Sequence, residues 1–198
     1  LLLVRGGVLS PFSGLGGAFH DLRASLESGS MPSWSLAEVA EYDLGKKPSA
    51  FQRLLKRWFI HPRTVKQRIK SLHRDGRLHL VHVSDQEQAH LVPRRCPVPV
   101  VVYVHDFFHL VPQQLELSGQ KIEVGELRPS RIRKRDLKRL MKGLQRADGI
   151  ICNTKATEAL CREYFPSKPL FRIPYGLDAT RYIPPEDLPA KPSALATE

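Results

Sequence analysis

Cysteine is scarce in this sequence. Three stand in 198 residues, at Cys96, Cys152 and Cys161, and no two form a Cys-x-x-Cys pair. That spacing argues against a structural zinc site or a disulfide framework, and it fits a reducing, cytoplasmic setting. Long apolar runs are missing too. No stretch approaches the roughly 20 residues of a membrane-spanning helix. The opening Leu1-Leu2-Leu3-Val4 is too short for a secretory leader and lacks its charged start. The chain begins at leucine rather than methionine, so residues ahead of it are expected. Several signatures of catalysis are also absent. There is no Gly-x-Gly-x-x-Gly and no phosphate loop ending in Gly-Lys-Ser/Thr. His-x-His, His-Glu-x-x-His and Gly-x-Ser-x-Gly do not occur either. P-loop hydrolysis, zinc hydrolysis and elbow-type serine hydrolysis are therefore poor readings.

Acidic residues are in short supply, 20 against 31 Lys and Arg, which leaves a formal charge of +11. The excess is concentrated. Residues 46–77 hold eleven bases against Asp75 alone, and residues 128–146 hold nine against Asp136 alone. Such clusters suit a polyanion (nucleic acid, anionic lipid or a phosphorylated substrate), or simply a solvated basic face. Interleaved exposed aromatics of a nucleic-acid module are lacking, so nucleic acid is not expected. With 41% hydrophobic and 26% charged residues, the composition is that of one globular domain with a single large core.

What is present is a series of apolar runs that stop at polar or glycine residues. Leu1 to Leu9 is broken by Gly6-Gly7 and leads into Ser10 to Gly17. Val98 to Val104 ends at His105-Asp106. Gly149 to Cys152 ends at Asn153-Thr154, and Leu170 to Ile173 leads into Pro174-Tyr175-Gly176-Leu177-Asp178. Buried parallel strands deliver side chains to the carboxyl edge of a sheet in this way, and ligands bind at that edge. Further strands are expected at 38–42 and 77–83, and helices near 19–26, 49–60, 132–144 and 154–164. Pro62 is expected to stop the helix at 49–60, with a second short helix through Val65, Ile69 and Leu72. Residues 111–130 read as an irregular loop, and the region beyond Asp178 as a linker. Alternating strands and helices give an α/β fold, a doubly wound parallel sheet of about six strands.

The candidate site residues follow from these ends. Gly16 and Gly17 join the first strand to the first helix, where glycine lets backbone approach a ligand and helix amides favour anions; a plain tight turn is the other reading. His105 can donate to a sugar hydroxyl or exchange a proton near neutral pH, and Asp106 could orient it or bind a hydroxyl. A surface loop histidine reads the same way. Asn153 and Thr154 are either a helix cap or ligand contacts. Phe51, Leu54, Leu55, Trp58 and Phe59 form one apolar helical stripe, with Arg53, Lys56 and Arg57 off it. Packing on the sheet is the first expectation for that stripe, and docking on an anionic membrane the second.

Together these segments resemble the N-terminal domain of the GT-B fold, retaining family 4 glycosyltransferases. The resemblance runs from the glycine loop through Val83-Ser84-Asp85-Gln86, the His105-Asp106 strand and the Asn153-Thr154 strand to Ile173-Pro174-Tyr175-Gly176-Leu177-Asp178. It implies a Rossmann-like acceptor-side domain over residues 1–183, with 184–198 as linker or the start of a donor domain. It further implies transfer of a sugar, with retention, from a nucleotide-sugar held mainly by that second domain. The acceptor would be a sugar, a lipid or a small molecule. No metal or other cofactor is implied, and this half alone would be inactive. His105 would contact the transferred sugar or stabilise the reacting centre. Gly16 and Gly17 would shape the loop near the diphosphate, and Asp106, Asn153 and Thr154 would line the cleft. The family's donor-side Glu-x7-Glu pair has no counterpart in this sequence. The competing class is a non-catalytic basic α/β module for anionic membrane or nucleic acid.

Overall fold

The computed structural model describes residues 1–45 and 47–175. The Gly176-Leu177-Asp178 end of the last motif and the 184–198 segment lie outside the described residues.

Six parallel strands form the central sheet: β1 (Leu2–Gly7), β2 (Glu38–Tyr42), β3 (Val81–Val83), β4 (Val100–Val104), β7 (Gly149–Cys152) and β8 (Leu170–Arg172). Their spatial order is β2-β1-β3-β4-β7-β8. The chain leaves β1 in one direction and returns to β3 on the other side, so the order reverses between β1 and β3. In a doubly wound sheet the crevice for a ligand opens at that reversal, outside the carboxyl ends. The expected Rossmann-like α/β architecture is what the chain adopts.

Side-chain alternation sets the layers. Leu2 and Val4 of β1, Val81 and Val83 of β3, and Val100, Val102 and Val104 of β4 belong to one core. That core is closed by helix α3 (His61–Arg74), α4 (Arg131–Arg146) and α5 (Lys155–Tyr164), through residues such as Val65, Ile69, Leu144 and Cys161. Each fully buried Val or Leu contributes about 1.5–3 kcal/mol. The opposite face is covered less. Helix α1 (Gly14–Glu27) sets Phe19 and Leu26 against Leu1 and Leu3. α4 lies unusually close to the 3-10 turn at Gln86–Leu91, because a Cβ on Gly143 would run into the Ala89 carbonyl.

Three local readings of the sequence are corrected. First, the strand expected over 77–83 is paired only over Val81–Val83. Second, Pro62 does not stop the helix. α2 (Ala50–Leu55) passes through a π turn, Lys56–Ile60, directly into α3. Pro62 has no N–H to give, and its ring would crowd the carbonyl four residues back. The wider turn relieves this, with the His61 N–H reaching back to Lys56 O. The Thr64 hydroxyl then donates to Ile60 O and the Arg63 guanidinium to Phe59 O. Third, residues 113–124 are a hairpin rather than irregular loop. β5 (Gln113–Leu117) pairs antiparallel with β6 (Gln120–Val124) across Ser118-Gly119, both at positive φ. Such a turn matches the twist of two strands.

The apolar stripe on α2 and the π turn does not pack on the sheet. Phe51 is 70% exposed and Phe59 43%, and no residue from Ala50 to Ile60 is buried. α3 takes the sheet contact instead. Arg57 turns inward, donating to Asp136 at 3.0 Å and to Glu87 O at 2.8 Å. The Trp58 indole also donates to Asp136, at 3.0 Å.

Several histidines are buried uncharged. Burial first, and His105 second, pushes the His82 pKa down to about 4. Burial and then Arg57 push His90 down to about 3. Burial also lowers His61. Unfolded histidine titrates near 6.5. A histidine depressed by folding contributes stability that is complete above pH 6.5 and is lost as pH falls toward the folded value. For His82 alone this is worth about 3 kcal/mol. Burial raises the Asp85 pKa, which opposes the loss. The urea midpoint is therefore expected to fall steeply between pH 6.5 and pH 4. A midpoint flat over that range would mean that these rings are not buried neutral.

Candidate functional site at the carboxyl edge

The strand ends converge on a connected set of polar groups. Arg5, near the end of β1, is buried, and its Nη1 lies 3.1 Å from Asp85 Oδ2 and 3.3 Å from Ser84 Oγ. Ser84 Oγ also donates to Asp85 Oδ2 at 3.2 Å. On the backbone side, His61 donates its Nε2–H to the Arg5 carbonyl at 2.6 Å. Burial lowers the Arg5 pKa and raises that of Asp85, while each group's charge works against the other's shift. The second oxygen of Asp85, Oδ1, is buried with no partner.

His105 follows β4. Its backbone N–H donates to Gln86 Oε1 at 3.0 Å, and its Nε2 lies 2.9 Å from the Ser84 carbonyl. A carbonyl can only accept, so Nε2 carries the proton and Nδ1 bears the lone pair. Nδ1 accepts from the Tyr175 hydroxyl. Burial lowers the His105 pKa, partly offset by the Ser84 bond and the charges of Asp85 and Asp106. The ring is thus a neutral hydrogen-bond acceptor directed at a hydroxyl. Its other support is stacking on Tyr103, with ring centroids 4.4 Å apart. Tyr103 in turn donates its hydroxyl to Ile173 O at 2.9 Å.

The neighbouring candidates are placed as follows. Asp106 Oδ1 accepts from the Phe108 N–H at 3.2 Å, which closes a turn behind His105. Thr154 is the N-cap of α5, accepting from the Thr157 N–H at 3.0 Å. The Thr157 hydroxyl lies 2.9 Å from Thr154 Oγ1 and donates to the His105 carbonyl at 3.3 Å. His105 and Thr154 are therefore joined through one residue. Asn153 Oδ1 is buried and unpartnered. Gly16 and Gly17 form the first turn of α1, which Ser13 caps through the Gly16 N–H at 3.1 Å. A Cβ at Gly16 would run into the Ser10 carbonyl, so glycine there serves the turn's own packing. Of these six residues only His105 lines the large cavity on the α1 side of the sheet.

Arg5, His61 and Tyr103 were not singled out from the sequence, and Asp85 and Tyr175 stood there only within motifs, without a role at the site. A signal existed for two of them. Arg5 is the one charge in an otherwise apolar strand, and Asp85 is the acid closest after β3.

This is a Rossmann-like α/β domain whose polar groups gather at the carboxyl edge, the architecture of one half of a GT-B glycosyltransferase. The Glycosyltransferase Family 4 model matches residues 30–181, and the chain belongs to that family. No curated protein matches it. Among solved structures it is similar to ligand-free UGT2 of Phytolacca americana, at 16% identity over 91% of this chain and 47% of that one, TM-score 0.50. It is also similar to the same enzyme complexed with UDP-2fluoro-glucose and pterostilbene, at 13% over 88% and 52%, TM-score 0.49. UGT73P12 of Glycyrrhiza uralensis, complexed with glycyrrhetinic acid 3-O-monoglucuronide, matches at 12% over 87% and 48%, TM-score 0.47. These UGTs belong to family 1, and the likeness at such identity is one of fold. The chain spans about half the length of the structures it matches.

Proposed function

We propose that this chain is the acceptor-side half of a retaining glycosyltransferase that moves a sugar from a nucleotide-sugar to an acceptor. The family match across residues 30–181 carries the reading. On this reading residues 1–183 form the acceptor-side domain, and 184–198 lead into a donor domain that holds most of the nucleotide-sugar. No metal is required. On the same reading, an acceptor-side half without the facing donor domain has only one wall of the cleft and is inactive.

The chemistry asks for a stabilised oxocarbenium-like centre and a stabilised diphosphate leaving group, in a cleft that excludes water. His105 is suited to the first task. Its proton is committed to the Ser84 carbonyl, so Nδ1 can accept from a sugar or acceptor hydroxyl in the place the Tyr175 hydroxyl occupies. The buried orphan oxygen of Asn153 offers a second acceptor at the same edge. Thr154 caps α5, whose positive N-terminal end favours developing negative charge. Asp106 buttresses the turn, and Gly16 and Gly17 shape the loop near the diphosphate.

In the complete enzyme, His105→Ala is expected to lower kcat by at least about 100-fold. Unfolding free energy should change by no more than about 1 kcal/mol. Steady-state rates and urea titration of the same preparation measure both. A loss of several kcal/mol, on the scale of a core truncation, would make His105 a packing residue instead.

A second partner surface is the exposed stripe on α2 and the π turn. Phe51, Leu55 and Phe59 lie open beside exposed Arg53, a pattern suited to the interface of an anionic membrane. Co-sedimentation should retain the protein on vesicles containing phosphatidylserine at low salt and not on purely zwitterionic vesicles. Absence from both pellets would leave the acceptor in solution and the stripe without a lipid role.

A further inference from the structure

The α1 face of the sheet is only partly covered. α1 packs over β1, and beside it a cavity of about 950 Å³ opens onto β3, β4 and β7. That size suits burial of a small organic ligand. Leu22 and Trp34 form one wall, Val101, Tyr103 and Ile151 form the sheet floor, and His105 also lines it. These surfaces are predominantly apolar, with one conspicuous exception. His82, only 8% exposed, faces the cavity from β3, and its Nε2 has no hydrogen-bond partner. Its ring lies 6.4 Å from that of Tyr103, so His82, Tyr103 and His105 form a ladder from the middle of the sheet to its carboxyl edge.

A buried imidazole nitrogen without a partner is a standing cost to the fold, removed when a group of matching polarity arrives. The ring is uncharged at neutral pH, since burial and His105 hold its pKa near 4. A neutral imidazole in apolar surroundings pairs well with a hydroxyl and offers no countercharge to a carboxylate.

We propose that this cavity binds a largely apolar small molecule bearing a neutral hydroxyl, which lies along Tyr103 and hydrogen-bonds His82 Nε2. The molecule can reach His105 without leaving the cavity. Its assignment as the sugar acceptor, an apolar alcohol or phenol, rests on the glycosyltransferase reading; its binding does not.

The test uses 4-phenylphenol and biphenyl, two probes of similar shape that differ by one hydroxyl. Calorimetric titration of the wild-type chain is expected to show saturable binding of 4-phenylphenol about tenfold tighter than of biphenyl, the yield of one hydrogen bond. In the same titration the ring nitrogen signals of His82, read by 15N NMR without any substitution, should shift with 4-phenylphenol and not with biphenyl. In His82→Phe the two probes should bind equally. Failure of both probes to bind, or equal affinities in the wild type with His82 unmoved, overturns the proposal. So does light scattering that shows a dimer unaffected by 4-phenylphenol, because a second copy would then cover this face. If the complete enzyme transfers sugar while the cavity stays empty of phenols, the cavity proposal fails alone. If 4-phenylphenol binds but no phenol is ever glycosylated, only its assignment as acceptor fails.

Discussion

The Arg5–Asp85 ion pair is the constraint on which the carboxyl edge depends. It lies where the strand order reverses, tying the end of β1 to the residue beyond β3 at 3.1 Å, with both side chains out of solvent. From it a line of hydrogen bonds spreads in two directions. The Arg5 carbonyl receives His61 and so fixes the start of α3. Ser84, held by Arg5 and Asp85, presents the carbonyl that sets the His105 tautomer. The His105 carbonyl then receives Thr157 in the first turn of α5. Desolvating two charges costs about what their attraction returns, so such a pair adds little net stability while its halves are strongly interdependent. Its value here is positional.

The basic excess has a similar double character. The two cation-rich segments meet around Glu87 and Asp136, with Arg57 from the first and Arg133 from the second. Arg133 forks onto Glu87 at 2.9 and 3.1 Å and onto Glu126 at 2.6 Å, and these bonds raise its pKa. Burial pushes the Asp136 pKa up, but Arg57 and the Trp58 indole pull it below the usual carboxylate range. Arg139 stacks over Trp58 at 4.2 Å. Part of what looked like a polyanion-binding charge therefore joins α4 to the π turn. Residues such as Arg53 remain on the surface for a partner.

The sheet was legible because strands buried on both faces read as near-continuous apolar runs, which a sequence displays directly. Val100 to Val104 and Gly149 to Cys152 form strands where the apolar runs lie, and β1 ends at the glycines that interrupt its run. The hairpin at 113–124 was missed although Leu115, Leu117 and Ile122 alternate with polar residues around Ser118-Gly119. Its strands are short and lie outside the main sheet, so little apolar burial marks them. Pro62 misled because a π turn absorbed it within a continuous helix, a rarer outcome than the stop that proline usually imposes. Among the candidate site residues, those at strand ends were visible as polar stops. The Arg5–Asp85 pair was not, since 80 residues separate its members and only the crossover brings them together. Which nitrogen of His105 carries the proton was equally out of reach, because a backbone carbonyl decides it.

A double-substitution cycle on Arg5 and Asp85 tests this account most directly. Unfolding free energies of Arg5→Leu, Asp85→Leu and the combined variant would be read by urea titration at pH 7. If the pair organises the edge as a buried unit, each single change loses about 3–5 kcal/mol, because it strands one buried charge. The double variant should then lose far less than the sum. Single losses under about 1 kcal/mol, or losses that simply add, would contradict it and leave the carboxyl edge without its organising contact.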